Sequence, residues 1–154
     1  MANPAKTGPF TTLHHICIVV RDIDKAVAFY ESVGVGPWHD YPPLDQYTEL
    51  EVPSREAFLG MTYKYADIAN AQIQLCQPGD ADGPQKRFLD THGEGIFHVG
   101  FAVDRCDDGE ELGKLLGLDV IMRSRRPDRS GFTYFDTAEQ AGVVLEVRSS
   151  PPGR

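Results

Sequence analysis

The sequence has no basic excess: 15 Lys and Arg stand against 23 Asp and Glu, for a formal net charge of −8. That argues against a nucleic-acid partner, because a basic surface supplies most of the affinity in such complexes. Long apolar runs are also missing. No stretch approaches the roughly 18 to 20 apolar residues a membrane span needs, so no membrane partner is expected. Met1 to Phe10 carries one Lys, two Pro and no apolar core. It reads as a frayed tail rather than a signal peptide or anchor. Cysteine is scarce and odd in number, with Cys17, Cys76 and Cys106 and no CxxC spacing. Buried, reduced thiols in a cytoplasmic protein are the simplest account.

What is present is ordinary in amount and unusual in arrangement. Over 154 residues the chain is 41% apolar and 25% charged, enough for one buried core or two half-domains sharing one. The arrangement is a repeat. Leu13-His14-His15-Ile16-Cys17-Ile18-Val19-Val20 aligns without a gap on Ile96-Phe97-His98-Val99-Gly100-Phe101-Ala102-Val103. His15 falls on His98. Further on, Ile73-Gln74-Leu75 aligns on Leu145-Glu146-Val147, so Gln74 falls on Glu146.

The segments between these marks predict elements. Asp22 caps a helix over 23–33, with Ile23, Ala26, Val27, Tyr30 and Val33 as its apolar stripe, ended by Gly34-Val35-Gly36-Pro37. Asp107 or Asp108 opens a shorter second helix carrying Leu112, Leu115 and Leu116 and stopping at Gly117. Strands are predicted over 47–52, 61–67 and 71–77, then 118–123, 132–136 and 142–148, with Ala69-Asn70 as a hairpin turn. The sequence-predicted fold is α+β: two tandem βαβββ modules, 11–78 and 94–149, joined by a linker at 79–93, forming one curved mixed sheet and together one domain.

Strand alternation then sorts side chains by face. Ile16, Ile18 and Val20 suit the helix side, leaving His15 and Cys17 on the other; Val99, Phe101 and Val103 leave His98 and Gly100 there. Gln74 and Glu146 join the histidines if both halves share one sheet. His14 points away and reads as a surface or packing residue. Glu146 lies in the apolar strand Gly142-Val143-Val144-Leu145-Glu146-Val147. An ionised carboxylate buried there costs several kcal/mol unless neutralised. An ion pair with Arg148 or an edge position would suffice, but three other donors at equivalent repeat positions favour a divalent cation held by His15, Gln74, His98 and Glu146. Two imidazoles, a carboxylate and an amide oxygen suit Co, Ni, Mn, Zn or Fe(II), with two positions of a six-coordinate ion left for water or substrate. Cys17 and Cys76 share that face but read as inert buried thiols.

The segments LHHICIVVRDIDKAVAFYESVGV, AQIQLCQP, GEGIFHVGFAV and GVVLEV, spanning about residues 12–148, resemble the vicinal oxygen chelate superfamily. That superfamily includes glyoxalase I, methylmalonyl-CoA epimerase, extradiol dioxygenases and bleomycin-resistance proteins. The order His, Gln, His, Glu is most similar to the epimerase. The resemblance implies a glyoxalase-like fold, the same four ligands, a small-molecule substrate and, as in many two-module members, a homodimer. It implies a metal-dependent isomerase, epimerase or lyase that stabilises an enolate of a small oxygenated carbonyl or acyl-CoA substrate. One feature departs from the epimerase. Its second carboxylate base has no counterpart in Met61-Thr62-Tyr63-Lys64-Tyr65, and Glu49 and Glu51 lie further upstream.

Glu146 is then the expected base, with Tyr63 or Lys64 as the second catalytic group, since alternation lets only one of the two face the site. The rival readings are an Fe(II) extradiol-type dioxygenase, a glyoxalase I-type lyase and a non-catalytic ligand-binding protein. The basic run Arg123, Arg125, Arg126 and Arg129 is a further candidate, as a docking site for an anionic substrate.

Overall fold

The structure, a computed structural model, describes residues 7–152. The expected tail lies outside the described residues as far as residue 6. Phe10 is packed, its ring edge-on to Phe101 and Phe135 with centroids 5.4 and 5.8 Å away.

The first half runs through strand β1 (Leu13–Val19), helix α1 (Ile23–Ser32), strands β2 (His39–Asp40) and β3 (Glu49–Glu51), helix α2 (Arg55–Leu59) and strands β4 (Thr62–Ile68) and β5 (Ala71–Gln77). Helix α3 (Pro84–His92) leads into β6 (Gly95–Ala102), α4 (Cys106–Leu115), β7 (Val120–Arg125), β8 (Gly131–Phe135), α5 (Ala138–Ala141) and β9 (Val144–Ser149). The strands form one nine-stranded mixed sheet in the order β2-β4-β5-β1-β6-β9-β8-β7-β3. Counted outward from the β1/β6 seam, each half has the same arrangement: β5, β4, β2 on one side and β9, β8, β7 on the other. The repeat seen in the sequence is thus a structural repeat. Both seam strands pair in parallel with the last strand of their own half.

β3 departs from this order. The sequence pattern assigned 47–52 to the first half's second strand, but that place is taken by the two-residue β2, paired with β4. β3 instead crosses to the far edge and pairs with β7. Ion pairs and packing accompany the crossing: Glu49 lies 3.0 Å from Arg123 and 3.2 Å from Arg129, Glu51 lies 3.7 Å from Arg123, and Leu50 and Val52 pack against the core.

The helices show where periodicity reads well and where it misleads. Asp22 caps α1 by accepting from the Lys25 amide at 3.1 Å. Ile23, Ala26, Val27 and Tyr30 pack with Ile18, Val20 and Leu75, whereas Val33 is exposed. In α4 the leucines were a poor guide, for Leu115 is exposed and the buried face is Cys106, Gly109, Glu110 and Gly113. A Cβ on Gly113 would stand 2.6 Å from Phe135 Cε1, so close approach of helix to sheet needs glycine there. The stretch 79–93 contains α3, whose Phe88 sits edge-on to Phe97 at 5.4 Å. Among the described residues, no helix is long and apolar enough to cross a membrane.

The basic run is largely structural. Arg125 is fully buried and bonds Asp107, Glu110, Thr133 and the carbonyls of Ser124 and Phe132. Arg123 pairs with Glu110 at 2.7 Å, and Arg129 with Asp107 at 2.9 Å. Hydrogen bonds from Arg129 and Arg125 hold the Asp107 carboxyl at about 2, below its ordinary 3.8. A depressed carboxylate pKa contributes stability that is complete above the unfolded value and lost as pH falls through the folded one. The urea midpoint is therefore expected to drop between about pH 4 and pH 2. Asp107→Asn should lower the neutral-pH midpoint and flatten that drop; an unchanged pH profile would contradict the assignment.

Candidate metal centre

Register brings the predicted ligands together. Across the seam Cys17 lies opposite His98 and His15 opposite Gly100. Gln74 of β5 lies opposite Cys17, and Glu146 of β9 opposite Gly100. One row therefore reads Gln74, Cys17, His98, and the next reads His15, Gly100, Glu146. Directly opposed residues share a face, as do residues two apart on one strand, so all four donors stand on one side of the sheet. The small residue between His15 and Glu146 is required: a Cβ at Gly100 would fall 2.6 Å from both ring nitrogens of His15. The imidazole lies in the space the missing side chain leaves.

Four side chains that are ordinarily solvated are here almost sealed, with His15 at 2%, His98 at 1%, Glu146 at 3% and Gln74 at 5% exposure. His15 Nε2 and His98 Nε2 are 2.9 Å apart. Glu146 reaches His98 Nε2 with one oxygen at 2.9 Å and His15 Nε2 with the other at 3.6 Å. The three groups each offer a ligand atom within 4.8 Å of the others, a His/His/Glu cluster able to bind a divalent metal. Two neutral imidazoles cannot both point lone pairs at each other without a proton or a cation between them, so the donor set fits a metal ion. Burial opposes ionisation of Glu146, but His15 and His98 outweigh it and hold the carboxyl below its usual range. Gln74 lines the same cavity; its amide N–H donates to Gln72 Oε1 at 2.7 Å, leaving its own oxygen as the remaining donor atom. Burial pushes the Cys76 thiol up to about 12 and the Cys17 thiol well above its ordinary value, so neither presents a thiolate.

The sequence reading missed His14. A register shift between Leu13 and His15 interrupts the alternation of β1, and His14 Nδ1 lies 2.8 Å from His15 Nδ1. Such bulges re-aim side chains. On its far side His14 Nε2 accepts from Arg148 Nη1 at 2.8 Å. Burial, followed by the Arg148 charge, lowers the His14 pKa to about 4, so the ring is neutral at pH 7. With Nε2 accepting, the neutral His14 ring carries its proton on Nδ1 and donates it to His15 Nδ1, which orients that imidazole. A cation on His15 Nε2 would require the two rings to exchange tautomers and His14 to release Arg148. His14→Ala is expected to weaken metal binding by roughly 10- to 100-fold, the range for loss of an orienting partner. Competition with a chelator measures it, and wild-type affinity would remove His14 from the centre.

The second catalytic candidates separate cleanly. Tyr63 lines the metal cavity, and its hydroxyl faces Met61 Sδ at 3.7 Å. Lys64, on the other face of β4, pairs with Asp40 at 2.9 Å. Two further tyrosines escaped the sequence reading. Tyr134 lies opposite Glu146 on β8 with its ring 4.7 Å from that of His98, and Tyr47 closes another wall. The two-residue turn at Ala69-Asn70 sets Tyr65 opposite Gln74. The signal available was therefore a tyrosine opposite the oxygen donor in both halves. Burial raises the Tyr63 and Tyr134 phenols well above their ordinary value, so both stay protonated.

The sheet order and this cluster are those of the vicinal-oxygen-chelate class. The pattern of the Glyoxalase/Bleomycin resistance protein/Dioxygenase superfamily matches residues 14–146, and the chain belongs to that family. Among its relatives is the Bacillus subtilis protein YqjC, itself uncharacterized, 27% identical over 138 residues covering 88% of this chain and 89% of that one. Human mitochondrial methylmalonyl-CoA epimerase is 25% identical over 96 residues, 62% of this chain but 48% of that protein. The crystal structure of methylmalonyl-CoA epimerase from Mycobacterium tuberculosis superposes with a TM-score of 0.73 at 24% identity, covering 97% of this chain and 94% of that one.

Proposed function

We propose that the protein is a metal-dependent isomerase or epimerase that moves a proton at the carbon beside a carbonyl, in a small oxygenated carbonyl compound or acyl thioester. The observation carrying this is the convergence of His15, His98 and Glu146 inside a cavity that also exposes neutral phenols. A divalent ion held by these three residues, with the Gln74 oxygen as fourth donor, would supply Lewis-acid stabilisation of the enolate oxygen. Glu146 is the single carboxylate among the residues lining the cavity, and it takes the proton. Tyr63, neutral and lining the same cavity, returns one. Lys64 has no part in this reading, since its ammonium is held by Asp40.

Glu49 and Glu51 are engaged by arginines at the sheet edge, so a second carboxylate base of the epimerase kind is not available from them. One carboxylate and one neutral phenol support proton transfer in which acid and base differ. The likeness to methylmalonyl-CoA epimerases and the donor set support the reading; Co, Ni, Mn, Zn and Fe(II) all suit these donors. The buried free thiols support a reducing, cytoplasmic setting.

The test is solvent deuterium exchange into small acyl thioesters and 2-oxo acids by metal-loaded protein. Metal-dependent exchange at the α carbon is expected. Tyr63→Phe should slow turnover about 100-fold or more, the usual contribution of a general acid, with unchanged metal content. Oxygen consumption by Fe(II)-loaded protein on a catechol, without exchange, would replace this reading by a dioxygenase built on the same triad.

A further inference from the structure

The cavity at the cation site has about 20 Å³ of free space, room for one ion or water molecule. The body of an organic substrate must therefore lie outside it. Two larger open cavities share walls with it. One, of about 510 Å³, meets it at Tyr41, Leu44 and Tyr63 and is lined by the acidic Asp40 and Asp45 with no Lys or Arg. The other, of about 290 Å³, meets it at Tyr41 and Arg148 and adds Arg126 to its wall.

These two arginines differ from the rest of the basic run. Arg123, Arg125 and Arg129 are each neutralised by Glu49, Asp107 or Glu110. Among the described residues, no carboxylate lies within ion-pair distance of Arg126 or Arg148. Arg126 is more than nine-tenths buried. It spends Nη1 on Ser130 and Nη2 on the Tyr47 hydroxyl, and stacks on the Tyr47 ring at 4.5 Å. Its Nε–H has no partner. Asp128 reaches Arg126 only through the Ser130 hydroxyl. A buried cation with an unused donor and no carboxylate in direct contact is costly to maintain, and an oxyanion would relieve both deficits. Arg148 uses Nη1 alone, for His14 and Ser150, and leaves the rest of its fork uncommitted. The acid on this wall, Asp67, is exposed and held by the Gln72 amide at 3.0 Å.

We infer that Arg126 and Arg148 form an anion subsite, so that the substrate carries a carboxylate or phosphate beyond the carbonyl that faces the metal centre. This rests on the reading of that centre as the reaction site. It gives the substrate an orientation: the reacting carbonyl passes the neck between Tyr41 and Arg148, and the anionic end stays on the arginine side, away from Asp40 and Asp45.

The experiment is an NMR titration of the full ¹⁵N-labelled chain, without added metal, following arginine Nε–H signals. The probes are propionate and inorganic phosphate. Saturable shifts confined to Arg126 and Arg148 are expected, with affinity falling about tenfold in Arg148→Gln and in Arg126→Gln. Arg126→Lys serves should the glutamine variant fail to fold, and should bind more weakly than wild type. Preference for propionate assigns a carboxylate on the substrate itself; preference for phosphate assigns the phosphate of a carrier. In His98→Ala the anion affinity should be unchanged. Affinity lost in His98→Ala but kept in the arginine variants would overturn the subsite while leaving the metal centre intact. Shifts spread over Arg123 and Arg129, or none at all, would also overturn it.

Discussion

Replacing His98 by Ala is expected to abolish tight metal binding. One of two imidazoles is removed, and Glu146 loses the partner that stands 2.9 Å from its carboxylate. The remaining His15 is 3.6 Å from the other oxygen, so the variant keeps a buried carboxylate with a single weak contact. Breaking one side of a buried pair typically costs about 3–5 kcal/mol, so the metal-free variant should also melt earlier. Ligand linkage gives a second readout. Metal at a thousand times its Kd raises wild-type stability by about 4 kcal/mol, and this increment should vanish in His98→Ala. Metal content of folded protein, measured by elemental analysis beside circular dichroism, decides the matter. Unchanged stoichiometry in a folded His98→Ala protein would refute the centre.

Gly100→Ala should damage the same centre without touching a ligand. The added methyl would sit 2.6 Å from Nδ1 and Nε2 of His15, well inside contact distance. The ring cannot retreat toward His14, whose Nδ1 is already 2.8 Å from its own, nor toward His98, 2.9 Å away. Either the imidazole leaves its position or the β1/β6 seam opens. Overpacking of this kind costs about 1–3 kcal/mol. The distinguishing result is loss of at least about a hundredfold in metal affinity, above the range for orienting partners, with the fold retained. Gly113→Ala is the control. Its methyl would meet Phe135 on the helix-facing side, so it should lower stability and leave metal affinity alone. Equal metal affinity in Gly100→Ala and wild type would show that His15 does not need that space.

Much of this centre was legible because it lies on strands with a strict two-residue alternation, and because the chain carries the pattern twice. An isolated His in an apolar strand says little. His15 and His98 at one repeat position, with Gln74 and Glu146 at another, constrain one another, and the only added requirement is that β1 and β6 adjoin. Reading failed where a residue's role depends on something other than its own element. In α4, Leu115 promised an apolar stripe, but the surface it would meet is shaped by Phe135 and accepts only Gly113. His14 was assigned to the wrong face because a bulge in β1 breaks the alternation that assignment used.

The amino-acid sequence by itself determined the duplicated strand–helix–strand pattern, the matching repeat positions of four candidate donor residues and the α+β class. All of these follow from local periodicity, which each segment carries within itself. The tertiary structure alone decided that β3 pairs across the sheet with β7, that Tyr63 rather than Lys64 faces the cavity, and which arginines are left without a carboxylate in direct contact. Those outcomes depend on which side chains from distant segments meet: Glu49 reaches Arg123 and Arg129 over more than seventy residues of chain. Electrostatic neutralisation belongs to such encounters, and no segment read alone contains it.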